Sequence, residues 1–352
     1  MKKVKALSLF SGGLDSILAT RLVMDQGVEV EAIQFVTPFF NYNILDNIEA
    51  HKQRIHAKYG INVLVEDIST GYLQLLHNPV HGFGKNFNPC IDCKIMMFSR
   101  AKELLAERGA DFLISGEVLG QRPMSQRRDT MNVIERDSGT KSLLLRPLCA
   151  QLMTETKAEI EGWVDRTKLL QMSGRSRSPQ LALAAQYGIT DFPTPAGGCI
   201  LADPILSLRI AQLYSRESVL TSAAITVPDI RVLLVGRQFI LPGGGWLIVG
   251  RDEKDNARLE KLVQAEDAVL LMEEWPGPLA VLKKAGSQYP DREKLEKDLE
   301  LAASLVVRYG KKQPENNGNG TKGEVTCTLG PSRRVIIAEP LADAVFQDWG
   351  LR

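Results

Sequence analysis

The sequence lacks any apolar run long enough to span a bilayer, so no membrane-spanning helix is expected. It also lacks an excess of charge of either sign: 43 Lys and Arg stand against 42 Asp and Glu, a net charge of +1. No global basic field announces a nucleic-acid protein, and any RNA contact must use local patches. Cysteine is scarce, with five in 352 residues. So few build no disulfide scaffold, and an odd count that includes a Cys-x-x-Cys points to metal, cluster or catalytic thiols in a cytoplasmic setting. No signal peptide is expected, because Met1-Lys2-Lys3 leads straight into a short strand and then polar loop chemistry. There is no internal repeat. What remains, 44% hydrophobic and 24% charged residues, is ordinary for a globular protein with room for two cored domains.

The chain is organised around Ser11-Gly12-Gly13-Leu14-Asp15-Ser16. An apolar run at 6–10 reads as a buried strand before it, and 17–24 reads as a helix after it. Two adjacent glycines let the backbone turn tightly and approach a ligand. The free N–H groups of the following helix point into the loop, and Ser11 and Ser16 add hydroxyl donors. This suits a phosphate or pyrophosphate. Asp15 fits beside a phosphate when a metal ion lies between them, as Mg²⁺ does with nucleotides. The loop is not a Walker loop, which needs Gly-Lys-Ser/Thr.

Further strands are expected at 28–36, 61–68, 112–115 and 143–148, and helices at 44–59 and 94–108, the latter ended by Gly109. This alternation argues an α/β fold: a Rossmann-like parallel sheet with helices on both faces. Ligands then bind beyond the carboxyl ends of the strands, where the Ser-Gly-Gly loop, the Cys-x-x-Cys and Gly116-Glu117 would lie. Helices follow at 156–164 and 181–187, before Pro193-Thr194-Pro195-Ala196-Gly197-Gly198-Cys199. The chain changes character near 215–228, which divides it into domains at 1–220 and 221–352, the second a smaller α+β domain. There, 241–251 has hairpin character, 292–309 is an amphipathic helix, 311–322 a polar loop and 325–337 strand-like.

Cys90 and Cys93 precede a helix, and Cys199 lies far downstream. Three cysteines can bind a [4Fe–4S] cluster and leave one iron without a protein ligand, an iron open to sulfide. Zn²⁺ needs a fourth ligand, for which His77 and His81 are candidates. Without metal, Cys93 and Cys199 can work as a persulfide carrier and its resolving thiol. Cys149 and Cys327 read as core.

These motifs resemble known families. Ser-Gly-Gly-x-Asp-Ser is similar to the pyrophosphate loop of the ATP pyrophosphatase (PP-loop) superfamily. That implies an adenine nucleotide α-hydrolase-like fold, ATP cleavage between the α and β phosphates, and adenylation of a substrate oxygen. Ser115-Gly116-Glu117-Val118-Leu119-Gly120-Gln121, with Ser125-Gln126, resembles the 4-thiouridine synthetase family. Asn88-Pro89-Cys90-x-x-Cys93 resembles the tRNA 2-thiouridylases. The likeness covers residues 4–205 and implies an ATP-dependent tRNA sulfurtransferase: a uridine oxygen is adenylated, then displaced by sulfur. It implies nucleotide and Mg²⁺ binding by Ser11, Gly12, Gly13, Asp15, Ser16, Gly116 and Gln121, and catalytic roles for Asp15, Cys93 and Cys199. Gly116 would admit the nucleotide closely; Glu117, Gln121 and Ser125 would bind base, ribose or metal, unless Ser125 merely caps a helix. Arg122, Arg127, Arg128, Arg175 and Arg177 are candidate phosphate contacts on tRNA. With the loop at residue 11, no counterpart is expected of the region that 4-thiouridine synthetases carry before it; no rhodanese-like domain is evident, and a sulfide or a persulfide-carrying protein is expected as sulfur donor.

Gly245 to Asn256, Asp267 and Pro276-Gly277-Pro278 resemble the NFACT-R RNA-binding domain, which implies RNA contacts at Gly250, Arg251 and Asn256. A small packing or dimerisation domain is the other reading, and a homodimer is open. Two further functions compete: a PP-loop adenylating enzyme with a small-molecule or other RNA acceptor, and a nucleotide-sensing RNA-binding factor without catalysis.

Overall fold

The computed structural model describes residues 3–193, 199–215, 225–289, 291–310 and 322–351. The chain divides into two compact units, Met1–Asp203 and Pro204–Arg352.

The first unit alternates strand and helix. β1 (Lys5–Leu9) leads to α1 (Leu14–Met24), β2 (Glu29–Val36) to α2 (Ile48–Tyr59), and β3 (Asn62–Asp67) to α3 (Ser69–Leu75) and α4 (Cys90–Arg108). β4 (Phe112–Ser115), α5 (Arg128–Asp137) and β5 (Leu144–Leu145) follow, then α6 (Lys157–Ile160) and α7 (Ser178–Gln186). The five strands form a parallel sheet in the order β3-β2-β1-β4-β5. Successive crossovers run one way from β1 to β3 and the other way from β4 to β5, so the order reverses between β1 and β4. A crevice opens there, at the carboxyl ends of both strands.

Side-chain alternation sends neighbouring strand residues to opposite faces. Ala6 and Ile114 join Leu14 and Leu18 of α1 in one core; Leu7 and Leu113 join Phe98 and Leu104 of α4 in the other. Both faces are covered, which is why these strands read as continuous apolar runs.

Several boundaries differ from the sequence reading. The helix expected over 44–59 is broken: a 3₁₀ turn covers Tyr42–Asp46, and Asn47 caps α2 by accepting from the Ala50 amide at 3.0 Å. α4 begins at Cys90 rather than at 94, because Pro89 sets its first turn, and Gly109 ends it at φ 61°. β5 keeps only two residues, since Arg146 turns inward and Pro147 has no amide proton for a ladder. The helix expected over 156–164 starts on a capping box between Thr156 and Glu159 and stops after one turn, ahead of Gly162 at φ 68°.

The second unit opens with α8 (Pro204–Leu213) and α9 (Val227–Leu233). β6 (Arg237–Ile240), β7 (Trp246–Val249), α10 (Glu253–Glu260), β8 (Ala268–Met272) and β9 (Ala280–Leu282) precede the long α11 (Arg292–Tyr309). β10 (Gly323–Leu329) and β11 (Ser332–Ala338) form a hairpin, followed by α12 (Asp343–Phe346). The six strands make an antiparallel sheet ordered β11-β10-β8-β9-β7-β6. Leu299, Ala302, Ala303 and Val306 of α11 pack on Phe239, Leu247, Leu270 and Leu282 of the sheet.

Two buried carboxylates hold this unit together: Asp298, which does not stand out in the sequence, and Asp267, one of the residues that carry the NFACT-R resemblance. Asp298, on the buried side of α11, accepts from the amides of Gly243 (2.8 Å) and Gly245 (3.0 Å) and from the Tyr289 hydroxyl, closing the β6–β7 turn. Asp267 pairs with the equally buried Lys283 at 2.7 Å. The polar segment expected as a loop lies mainly outside the described residues, as does most of the 215–228 stretch.

Candidate functional site

The Ser-Gly-Gly loop joins β1 to α1 at the reversal of strand order. Gly12 sits at φ +76°, a left-handed conformation that favours glycine. Gly13 occupies the N-cap position of α1 with no side chain to satisfy the helix. Its amide donates to Ser11 Oγ at 3.3 Å, while Ser16 Oγ donates to the Gly13 carbonyl at 2.7 Å. These bonds hold the loop open at the first turn of α1, where free amides and the helix dipole favour an anion.

Asp15 is half satisfied. Its Oδ2 accepts from Gln121 Nε2 at 2.9 Å, and Gln121 in turn accepts from Gln180 Nε2 at 3.3 Å. Its Oδ1 is buried with no hydrogen-bond partner among the described residues. A buried carboxylate oxygen without a donor calls for a cation, and the site fits Mg²⁺ arriving with a nucleotide. Gln180 was not singled out from the sequence; a glutamine on α7 carries no local signal of proximity to residue 121.

Gly116 packs against the Ser-Gly-Gly loop itself. A Cβ there would stand 2.7 Å from the Asp15 carbonyl carbon and oxygen and from the Ser16 amide. The close approach that requires glycine is to the protein's own backbone.

Glu117, expected to reach base, ribose or metal, is enclosed by cations. It pairs with Lys94 and with Arg146, the latter at 2.9 Å, and Arg146 also pairs with Glu135. Burial pushes the Glu117 carboxyl up, but Lys94 and Arg146 outweigh it and hold it below the usual carboxylate range. Lys94, Arg146 and Glu135 escaped sequence reasoning because they come from three separate elements. Ser125 is buried, and α5 starts at Arg128 with Arg127, not Ser125, at its cap position.

Cys90 and Cys93 lie one turn apart at the start of α4. Tyr72 hydrogen-bonds Cys93, Asn88 Nδ2 lies 3.2 Å from Cys90 Sγ, and Cys199 follows a segment, 194–198, outside the described residues. The three thiols sense one another: burial pushes Cys93 up to about 12, with Cys199 and Cys90 adding to the rise, and burial together with Cys90 raises Cys199. Soft thiol donors suit iron or zinc. As they stand, no group of three or more His, Cys, Asp or Glu side chains among the described residues is arranged to hold a metal ion. His81 pairs with Asp137 at 3.1 Å. Cys149 and Cys327 are buried.

The candidate RNA contacts divide. Arg122, Arg127 and Arg175 are exposed, Arg127 beside Asp129 at 3.5 Å. Arg128 is tied to the Leu152 carbonyl at 2.8 Å, and Arg177 is partly buried. Arg251 pairs with Asp255 at 2.6 Å and keeps half its side chain exposed. Gly250 and Asn256 serve the fold first: a Cβ on Gly250 would collide with Asn256 Oδ1 at 2.0 Å, and Asn256 bonds the Leu279 amide (3.1 Å) and the Gly277 carbonyl (3.4 Å).

Residues 2–177 match the family model described as Thiamine biosynthesis protein (ThiI). The chain belongs to this family. Residues 236–350 match a second model, the NFACT protein RNA binding domain. The ThiI-type part is similar to a "Probable tRNA sulfurtransferase" of Lysinibacillus sphaericus, 30% identical over 145 residues, 41% of this chain and 34% of the relative. A protein of the same description from Ureaplasma urealyticum is 31% identical over 162 residues, 44% of this chain and 38% of the relative. The chain thus spans little more than a third of the length of these curated relatives. Among solved structures, a 4-thiouridine synthetase–RNA complex with bound ATP aligns at 21% identity and a TM-score of 0.34, over 54% of each chain. The U34-tRNA thiolase NcsA from Methanococcus maripaludis with its [4Fe–4S] cluster aligns at 20% identity and a TM-score of 0.32, over 56% of this chain and 61% of its own. No helix among the described residues of this ThiI-family chain is long and apolar enough to cross a membrane.

Proposed function

We propose that the chain is an ATP-dependent tRNA sulfurtransferase. The observation that carries this reading is a chain of contacts. Lys94, next to Cys93, holds Glu117; Gly116, next to Glu117, abuts the backbone of Asp15. The thiols and the Gly-Gly loop are thereby held in one unit at the carboxyl edge of the sheet. The curated relatives' description agrees with this.

In this reading Ser11, Gly12, Gly13 and Ser16 bind the ATP phosphates, and Asp15, held by Gln121, takes the Mg²⁺ that offsets their charge. Gly116 keeps the two loops in contact. A uridine carbonyl oxygen attacks the α-phosphorus; the bond to the bridging oxygen of the β-phosphate breaks, and pyrophosphate leaves with that electron pair. Hydrosulfide then attacks the activated ring carbon and loses its proton; where the donor is a protein persulfide, its terminal sulfur attacks and a second thiol opens the resulting S–S bond by forming a disulfide with the carrier sulfur. The C–O bond breaks and AMP departs with the former carbonyl oxygen. Cys90, Cys93 and Cys199 would hold a [4Fe–4S] cluster, which when bound would supply an open iron for a sulfur atom. Arg122, Arg127, Arg128 and Arg251 would contact RNA phosphates, with the unit after residue 204 as a second RNA surface.

The test is incubation with ATP, Mg²⁺, sulfide and unmodified tRNA under anaerobic conditions, with pyrophosphate and thiolated nucleosides measured. Stoichiometric pyrophosphate and thiouridine support the reading. Pyrophosphate release with a small acceptor and not with tRNA selects a different adenylating enzyme. No pyrophosphate under either condition leaves a nucleotide-sensing RNA-binding factor.

A further inference from the structure

A polar chain runs from the surface of α2 to the Gly-Gly loop. Arg54 Nη2 lies 2.8 Å from His51 Nδ1, and His51 Nε2 lies 2.7 Å from Gln34 Oε1. Gln34 is 3% and His51 7% exposed, so both are built into the core rather than draped on it. On the far side, Gln34 Nε2 is 3.6 Å from the point where a Cβ on Gly12 would stand.

The direction of every bond in this chain follows from its outer end. A guanidinium has donors and no acceptor, so His51 Nδ1 must accept. The neutral ring then carries its proton on Nε2, which must donate. Gln34 Oε1 is consumed as the acceptor, and the amide cannot turn over without facing two donors together. Its NH₂ group is left toward the loop, with no hydrogen-bond acceptor among the described residues. Amide orientation, ambiguous for most glutamines, is settled here by Arg54. Burial together with the Arg54 charge lowers the His51 pKa, in keeping with a neutral ring.

We propose that Gln34 is a further phosphate-binding residue of the Ser11–Ser16 loop, with His51 and Arg54 as positioning residues that keep its N–H donors facing the bound anion. This rests on the reading that the loop takes nucleotide phosphates. The ligand class is a polyphosphate oxyanion: the triphosphate of ATP or pyrophosphate itself. The amide would add one neutral donor, from β2, to the backbone donors of the α1 N-terminus.

The experiment is calorimetric titration of the full chain with ATP·Mg²⁺, with inorganic pyrophosphate and with adenosine. Gln34→Glu should weaken ATP and pyrophosphate binding about tenfold or more, the scale of one hydrogen bond to a charged group now replaced by repulsion. Adenosine binding should not change. His51→Phe and Arg54→Met should each weaken pyrophosphate binding, and neither should add its full effect to Gln34→Glu. If His51→Phe fails to fold, Arg54→Met, an exposed position, carries the same test. Wild-type pyrophosphate binding in both Gln34→Glu and Gln34→Ala would overturn the proposal while leaving the loop reading intact. Equal loss of adenosine and pyrophosphate would also overturn it, by showing a structural role. A wild-type chain that binds neither ATP nor pyrophosphate would refute the loop reading, and the proposal with it.

Discussion

Gly116 has no room for a side chain because the backbone of Asp15 lies against it: a Cβ would stand 2.7 Å from the Asp15 carbonyl. Backbone cannot rotate aside as a side chain can. Gly116→Ala must therefore push the β4 loop away from the start of α1, at a cost of about 1–3 kcal/mol. The variant should fold with a lowered melting temperature and lose ATP binding out of proportion to that loss. Calorimetry and nucleotide titration on the same preparation check this; unchanged ATP affinity would separate the two loops functionally.

Asp15 carries a buried oxygen with no donor among the described residues, an arrangement that destabilises an apo protein and is tolerated where a ligand completes it. Asp15→Asn removes the charge and keeps the shape. Pyrophosphate release should fall about 10²-fold or more, the scale of losing one preorganised electrostatic contact. The melting temperature without nucleotide should hold steady or rise. Normal turnover in the variant would remove Asp15 from the chemistry.

Glu117 is held below the ordinary carboxylate value of 4.5, burial opposing the shift and Lys94 and Arg146 causing it. Its folded-state pKa is depressed, so its contribution is present above the unfolded value and is lost as pH falls below about 4.5. Urea unfolding of the wild type should show that loss of stability. Glu117→Gln should be less stable at neutral pH by about 3–5 kcal/mol, leaving Lys94 without its carboxylate and Arg146 with Glu135 alone, and its stability should vary less with acid. Parallel acid profiles in the two proteins would contradict the assignment.

For the cysteines the decisive comparison is anaerobic wild type against Cys199→Ala. About four irons with matching sulfide and a brown absorption band, lost in the variant, are expected if the three thiols hold a cluster. Chelation of the iron should then abolish thiolation and spare pyrophosphate release. A colourless wild type free of iron would transfer sulfur handling to persulfide chemistry on Cys93 and Cys199, or to zinc if zinc is found.

Local chemistry explains what could be read without a structure. Strand runs buried on both faces are continuous and apolar, so the parallel sheet was legible, and so was the loop, because Gly-Gly before a helix is a contiguous pattern. Helix ends were less legible. Asn47 breaks the expected 44–59 helix through one side-chain bond to Ala50, and Cys90 starts α4 because of Pro89.

By itself the sequence determined the α/β alternation, the position of the Ser-Gly-Gly loop at the end of β1 and the presence of three candidate thiols. These depend on neighbours in the chain, and periodicity and turn chemistry reveal them. Only the tertiary structure decided that Gly116 lies against the backbone of Asp15, and that Glu117 answers Lys94 and Arg146. It alone decided that Asn256 braces a turn and that Arg54 orients Gln34 through His51. Each of these pairings joins elements separated in sequence, and a side chain's hydrogen-bond capacity does not disclose which distant partner will use it.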